Sequence, residues 1–204
     1  MQNKTSAVAP LVSNPNENSI TETINSIDLV FESSRSSFSP QRIDRGTLAM
    51  LSVAELSESD KVLDLGCGYG VIGIYAAKRI GERNVIMSDI DATSVALSTK
   101  NAAMNGVGGI KVILSDGFKD IRDSNFTLIL SNPPYQVDFS VPKHFIEKGF
   151  NRLTIGGKML MVTKRELWYK NKLTAIFGGV NITNIGGYHV FCAEKRRMNY
   201  ANAK

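Results

Sequence analysis

From residue 61 onward, short apolar runs alternate with longer amphipathic stretches, and the alternation is regular enough to assign elements. Residues 61–65, 84–88, 110–114 and 126–130 read as strands. Residues 71–80 and 91–105 read as helices, the second begun by Asp91 as N-cap. Residues 142–153, 158–162 and 165–177 follow as helix, strand and helix. Repeated strand–helix units imply a parallel sheet with helices on both faces. The end breaks this rhythm: 180–185 and 188–193 flank Gly186-Gly187 with no helix between them, the pattern of a β-hairpin. The expected fold is therefore α/β, a doubly wound, seven-stranded, mostly parallel sheet with one antiparallel strand. Before residue 61, Leu48, Leu51 and Ala54 recur at helical spacing within 44–56. Residues 28–32 read as a short strand and 33–40 as a Ser-rich turn.

Composition adds limits. The first 27 residues, rich in Asn, Ser, Thr and Glu, are expected to form a poorly ordered polar tail, leaving 28–204 as a single domain. No apolar run approaches the roughly 20 residues of a membrane span, and the N-terminus lacks the apolar segment of a signal peptide. Cys67 and Cys192 stand alone without metal-ligand spacing, so no metal is expected and a reducing, cytoplasmic setting fits. The net charge of +5 hides an asymmetry: residues 141–204 carry twelve basic and three acidic side chains, residues 1–60 four and eight. A basic field confined to one third of a small domain suits a long polyanion. A solvated lysine-rich surface explains the charge alone equally well.

Candidate chemistry sits at the strand ends. Gly66, Gly68 and Gly70 follow the first strand of the repeat, in Asp64-Leu65-Gly66-Cys67-Gly68-Tyr69-Gly70, where glycine lets backbone approach a ligand. A dinucleotide is the obvious competitor for such a loop. Val71 stands where its fingerprint wants a third glycine, and Asp64 would repel a pyrophosphate. A nearby carboxylate favours a cationic ligand instead. Asp89 ends the next strand, about 20 residues on, where an acidic side chain accepts ribose hydroxyls. Asn132-Pro133-Pro134-Tyr135 follows the fourth strand. Two prolines fix φ and remove two donors, so the turn presents acceptors. The Asn132 side-chain oxygen and the Pro133 carbonyl can each take a hydrogen from an –NH2 group, and Tyr135 can stack on a base.

Together the glycine loop and the Asn-Pro-Pro-Tyr turn resemble the class I S-adenosylmethionine methyltransferases that modify amino nitrogens. The resemblance implies S-adenosylmethionine as cofactor, held by Asp64, Gly66, Cys67, Gly68, Gly70, Asp89, Ile90, Asp116, Gly117 and Asn132. Within that set Asp116, in Ser115-Asp116-Gly117-Phe118, is expected at the adenine amino group, with Ile90 on the adenine face. Catalysis falls to Asn132, Pro133, Pro134 and Tyr135. Phe38-Ser39-Pro40, Arg42-Ile43-Asp44-Arg45-Gly46-Thr47, the Val71-Ile72-Gly73 continuation of the loop and the terminal Gly186-Gly187-Tyr188 are similar to ribosomal RNA guanine-N2 methyltransferases of the small-subunit type. This chain resembles their minimal single-domain form over about residues 28–196, without a duplicated N-terminal half.

Guanine N2 in ribosomal RNA is therefore the expected acceptor. Tyr135 stands where that group more often has Phe or Ile, which keeps adenine N6 in RNA or DNA, and protein glutamine N5, as alternatives. Outside enzymes, the alternative is an RNA-binding module that retains the fold. For RNA contact the candidates are Arg42, Arg45, Lys143, Lys164, Arg165 and Lys170, the last three interleaved with Trp168 and Tyr169. Trp168 reads first as a packing residue. A monomer or weak homodimer is expected, with no membrane partner.

Overall fold

The computed structural model describes residues 19–33, 41–134 and 138–201. In chain order the elements are β1 (Ser19–Ile24), β2 (Ile27–Glu32), α1 (Arg45–Val53), β3 (Val62–Leu65), α2 (Val71–Ile80), β4 (Val85–Asp89), α3 (Ala92–Met104), β5 (Lys111–Leu114), β6 (Phe126–Ser131), α4 (Ser140–Arg152), β7 (Leu153–Thr163), α5 (Glu166–Phe177), β8 (Asn181–Ile185) and β9 (Tyr188–Glu194). Seven strands form one sheet in the order β5-β4-β3-β6-β7-β9-β8. All neighbours are parallel except β9, which runs antiparallel to both β7 and β8. The central strands β3 and β6 are apolar nearly throughout and buried, as a sheet covered on both faces requires.

Two cores lie on the two faces. One packs α1 and α2 against the sheet around Met50, Leu51, Ile74 and Tyr75; the other packs α4 and α5 around Phe150, Leu173, Phe177 and Phe191. α2 reaches the sheet closely because residue 73 is glycine: a Cβ there would lie 2.4 Å from Met87 Cγ. Asp44 caps α1 and Asp91 caps α3, each accepting two backbone N–H groups.

The N-terminal expectation needs correction. Residues 19–27 belong to the fold, since β1 pairs antiparallel with β2 through a two-residue turn at Asn25 and Ser26, both at positive φ. The hairpin is fastened from outside. Asn105 accepts the Val30 N–H and donates to the Val30 carbonyl, while Asn101 does the same at Glu32. Two amides, Asn101 on α3 and Asn105 at its C-cap, thus satisfy the free edge of β2 as a neighbouring strand would. Residues 1–18 lie outside the described residues, as does the 34–40 part of the Ser-rich turn. The strand expected over 158–162 is also longer: β7 begins at Leu153 because Gly156 and Gly157 exchange backbone hydrogen bonds with Lys195.

Candidate active site

Loops leaving the carboxyl ends of β3, β4, β5 and β6 surround a cleft of about 500 Å³, a size usual for small-ligand sites. β3 lies between β4 and β6, so the chain changes direction across the sheet beneath this cleft, where open α/β sheets bind ligands. Ser131 Oγ donates to the Leu65 carbonyl at 2.7 Å. That bond fixes the start of the glycine loop against the turn that carries Asn132.

The glycine loop is tied down by its own backbone. The N–H groups of Gly66 and Cys67 both donate to the Ser88 carbonyl, at 2.8 and 2.9 Å. Gly68 N–H donates to Asp89 Oδ2 at 2.8 Å, and Asp91 N–H to Asp89 Oδ1 at 3.0 Å. The Asp89 carboxylate is therefore oriented at both oxygens, and each retains acceptor capacity for a ligand hydroxyl. Asp64 lies beneath the loop, 0% exposed, with Oδ2 accepting the Gly73 N–H at 2.8 Å and Oδ1 without a partner. Burial pushes its carboxyl up to about 7, against the Gly73 hydrogen bond and with help from the Asp89 charge. A cation placed nearby would stabilise its ionised form.

Gly66, Cys67, Gly68, Asp89, Ile90, Asp116, Gly117, Asn132 and Pro134 all line the cleft. Ile90 is 68% exposed at the rim, an apolar surface suited to a planar ring. Asp64, Gly70 and Pro133 stand behind the lining: Gly70 is the N-cap of α2 at φ 97°, where a Cβ would lie 3.0 Å from both Ile74 Cδ1 and Ser98 Cβ, and Pro133 is buried. The Cys67 thiol is raised well above its usual range by burial and stays protonated. Tyr135 lies outside the described residues.

On the opposite wall, Asn132 Nδ2 donates to Asp44 Oδ1 at 2.8 Å and to Thr47 Oγ1 at 2.9 Å. Its Oδ1 is buried and without a partner. Asp44, Thr47, Tyr69 and Phe145 also line the cleft, and sequence reasoning gave none of them a role. Tyr69 is backed edge-on by Phe31 of β2, ring centres 5.8 Å apart, so the N-terminal hairpin buttresses the glycine loop. Among the described residues, no cluster of three His, Cys, Asp or Glu side chains could hold a metal ion.

Residues 28–192 match the family model of the methyltransferase small domain. The chain belongs to that family. The Bacillus subtilis protein YbxB is 30% identical over 174 residues, covering 82% of this chain and 87% of the relative. Ribosomal RNA small subunit methyltransferase C of Haemophilus ducreyi is 34% identical over 176 residues, 82% of this chain and 52% of the relative. A solved T. thermophilus 16S rRNA N2 G1207 methyltransferase, in complex with AdoMet and guanosine, matches with a TM-score of 0.79 at 27% identity, over 87% of this chain and 50% of its own. This methyltransferase small domain thus spans about half the length of the ribosomal RNA methyltransferases it matches. A ribosomal protein L11 methylase from Lactobacillus delbrueckii shares the fold at a TM-score of 0.62 and 20% identity, so fold alone leaves the acceptor open.

None of the candidate basic residues of this methyltransferase domain lines the cleft. Arg42 and Arg45 are exposed on either side of Asp44 in the chain, and Lys143 is exposed between the cleft residues Val141 and Phe145. Arg165 lies over the Phe139 ring at 5.0 Å, and Phe139 stacks on Trp168 at 4.6 Å. Lys164 lies over Tyr188 at 4.8 Å, and Lys170 is exposed on α5. Trp168 is half-buried against the α4–α5 core. His144 packs against Gly117 with its Nε2 buried and unpartnered. No helix among the described residues is long and apolar enough to cross a membrane.

Proposed function

We propose that this domain transfers the methyl group of S-adenosylmethionine to an exocyclic amino group of RNA, guanine N2 in ribosomal RNA being the favoured acceptor. The observation that carries the reading is Asn132 Oδ1, a buried acceptor lacking a donor on the wall of the cleft that also holds the glycine loop. Native structures rarely leave such an atom unpaired, and a donor on a bound ligand would complete it. The opposite wall fits the cofactor: Asp64 half-satisfied for a cation, Asp89 oriented for a ribose diol, Ile90 exposed for a ring and Asp116 at the rim for an amino group.

S-adenosylmethionine bound there supplies an electrophilic methyl on a sulfonium. Asn132 Oδ1 accepts one hydrogen of the target amino group, and the Pro133 carbonyl is the second acceptor in this reading. Two acceptors hold the nitrogen in line with the methyl and draw its lone pair out of conjugation with the ring. Catalysis is then positioning plus electrostatics. No strong base is needed, because the methylated cationic amine loses its proton readily. The target base leaves its stack to enter the cleft, and the basic residues Arg42, Arg45, Lys143, Lys164, Arg165 and Lys170 meet the phosphates. Guanine is favoured by the T. thermophilus N2 enzyme among the matches. An RNA substrate of this kind places the activity in the cytosol.

The test is transfer of labelled methyl from S-adenosylmethionine to total RNA, DNA and protein from cells lacking this chain, followed by nucleoside analysis. Label in N2-methylguanosine is the expected result. Label in N6-methyladenosine keeps the mechanism and removes the guanine assignment. Label in protein alone replaces the RNA reading with glutamine methylation.

A further inference from the structure

Asn132 does not choose its own orientation. An asparagine amide has a donating and an accepting end, and turning it over exchanges them. We infer that Asp44 and Thr47 are positioning residues that clamp the Asn132 amide so that Oδ1, and never Nδ2, faces the acceptor amino group. The inference rests on the reading of Asn132 as the group that accepts from the substrate.

The clamp is built from α1. Asp44 Oδ1 accepts Gly46 N–H at 2.8 Å and Thr47 N–H at 3.1 Å as the helix cap, which fixes the carboxylate before Asn132 arrives. An ionised carboxylate only accepts. The group facing it must therefore be the amide nitrogen, and Nδ2 donates to Asp44 Oδ1 at 2.8 Å. Thr47 Oγ1 takes the second amide hydrogen at 2.9 Å. Both Nδ2 hydrogens are then used, and the remaining end of the amide, the buried unpartnered Oδ1, is the only one left for a ligand. Gly46 keeps room for this arrangement. A Cβ there would stand 2.8 Å from Asp44 Oδ1 and 2.9 Å from the Tyr188 ring, so a side chain at 46 would push the cap off its position. Asp44, Gly46 and Thr47 thus form one device, anchored on β9 through Tyr188 and acting on a turn 88 residues away. A group that must accept from an –NH2 gains nothing from being a good donor, and the clamp suppresses the donating orientation before substrate binds.

The experiment uses the full chain, with Thr47→Val as the central variant because it is isosteric and leaves the backbone cap intact. Losing one hydrogen bond to the amide should lower kcat about five- to tenfold, with KM for S-adenosylmethionine and the melting temperature unchanged. Thr47→Ser should recover most of the loss. Asp44→Ala should lower kcat about 100-fold, since its bond is charge-assisted. Because both residues act through Asn132, Thr47→Val should cause no further loss in an Asn132→Ala background. A wild-type kcat for Thr47→Val, or an undiminished loss in that background, overturns the inference. The clamp is also read without turnover: in 15N-labelled protein the Asn132 side-chain NH2 hydrogens should exchange slowly with solvent, and Thr47→Val should speed that exchange. Fast exchange in the unmodified chain overturns the clamp whatever the acceptor. Slow exchange in a chain that methylates no RNA supports the clamp and rejects the RNA reading.

Discussion

The two walls of the cleft hold their side chains by different means. The wall proposed for the cofactor is made mostly of neighbours: the glycine loop folds onto the adjacent strand through backbone groups, and Asp89 is fixed by N–H groups from that loop and from its own turn. The wall proposed for the acceptor is made of strangers. Asn132 depends on Asp44 and Thr47, which lie 88 and 85 residues earlier and arrive only when α1 docks on β7 and β9. The first wall is held mainly by two adjacent strand ends, with Phe31 and Ser131 adding support from farther along the chain; the second depends on a helix docked across the fold.

The contrast can be broken most sharply at Asn132. Asn132→Ala should lower kcat by on the order of 10²- to 10³-fold, as removal of a preorganised electrostatic group does. S-adenosylmethionine affinity by calorimetry should stay within about twofold, since in the proposed reading the free Asn132 Oδ1 serves the acceptor amino group. Asp89→Ala should do the reverse, weakening S-adenosylmethionine binding roughly 10- to 100-fold through the lost charged acceptor, with RNA retention on filters unchanged. If RNA binding fell equally in that variant, the walls would not be separate.

Acidity sharpens the cofactor side. Asp64 titrates near 7 in the folded protein against an ordinary 3.8. Between those values the folded state binds more protons than the unfolded one. This group's contribution to stability therefore falls as pH rises from about 4 to about 7 and is flat above that. A cationic ligand favours the ionised carboxylate, so S-adenosylmethionine affinity should rise by up to about tenfold between pH 6 and 8. Asp64→Asn should flatten that profile in calorimetric titrations. The smallest effect belongs to the basic residues. Replacing Lys164 and Arg165 together with Ala should raise KM for RNA about three- to tenfold, less at high salt, without changing kcat.

This division also explains what the sequence made legible. The glycine loop, Asp89 and Asn132 were readable because each is a short motif at the end of an apolar strand. Asp44 was readable only as part of the start of a helix, since its partner is far along the chain and no local spacing joins them. In the N-terminal hairpin β2 was legible as a strand, but β1 was hidden by composition: Ser, Thr and Glu dominate, while Ile20 and Ile24 alone are its buried positions. The edge of β2 is satisfied by Asn101 and Asn105, side chains that a helix reading leaves on the surface. β7 extends past its apolar run because Lys195, just beyond β9, supplies backbone partners to Gly156 and Gly157, which no local propensity reveals.

The most direct single measurement is a crystal structure of the chain with S-adenosylhomocysteine and guanosine. The guanine N2 should lie within about 3.2 Å of Asn132 Oδ1, with Nδ2 still held by Asp44 and Thr47. A guanine that meets Asn132 through an acceptor atom, or that leaves Oδ1 without a partner while its N2 points out of the cleft, would contradict amino-group methylation at this site.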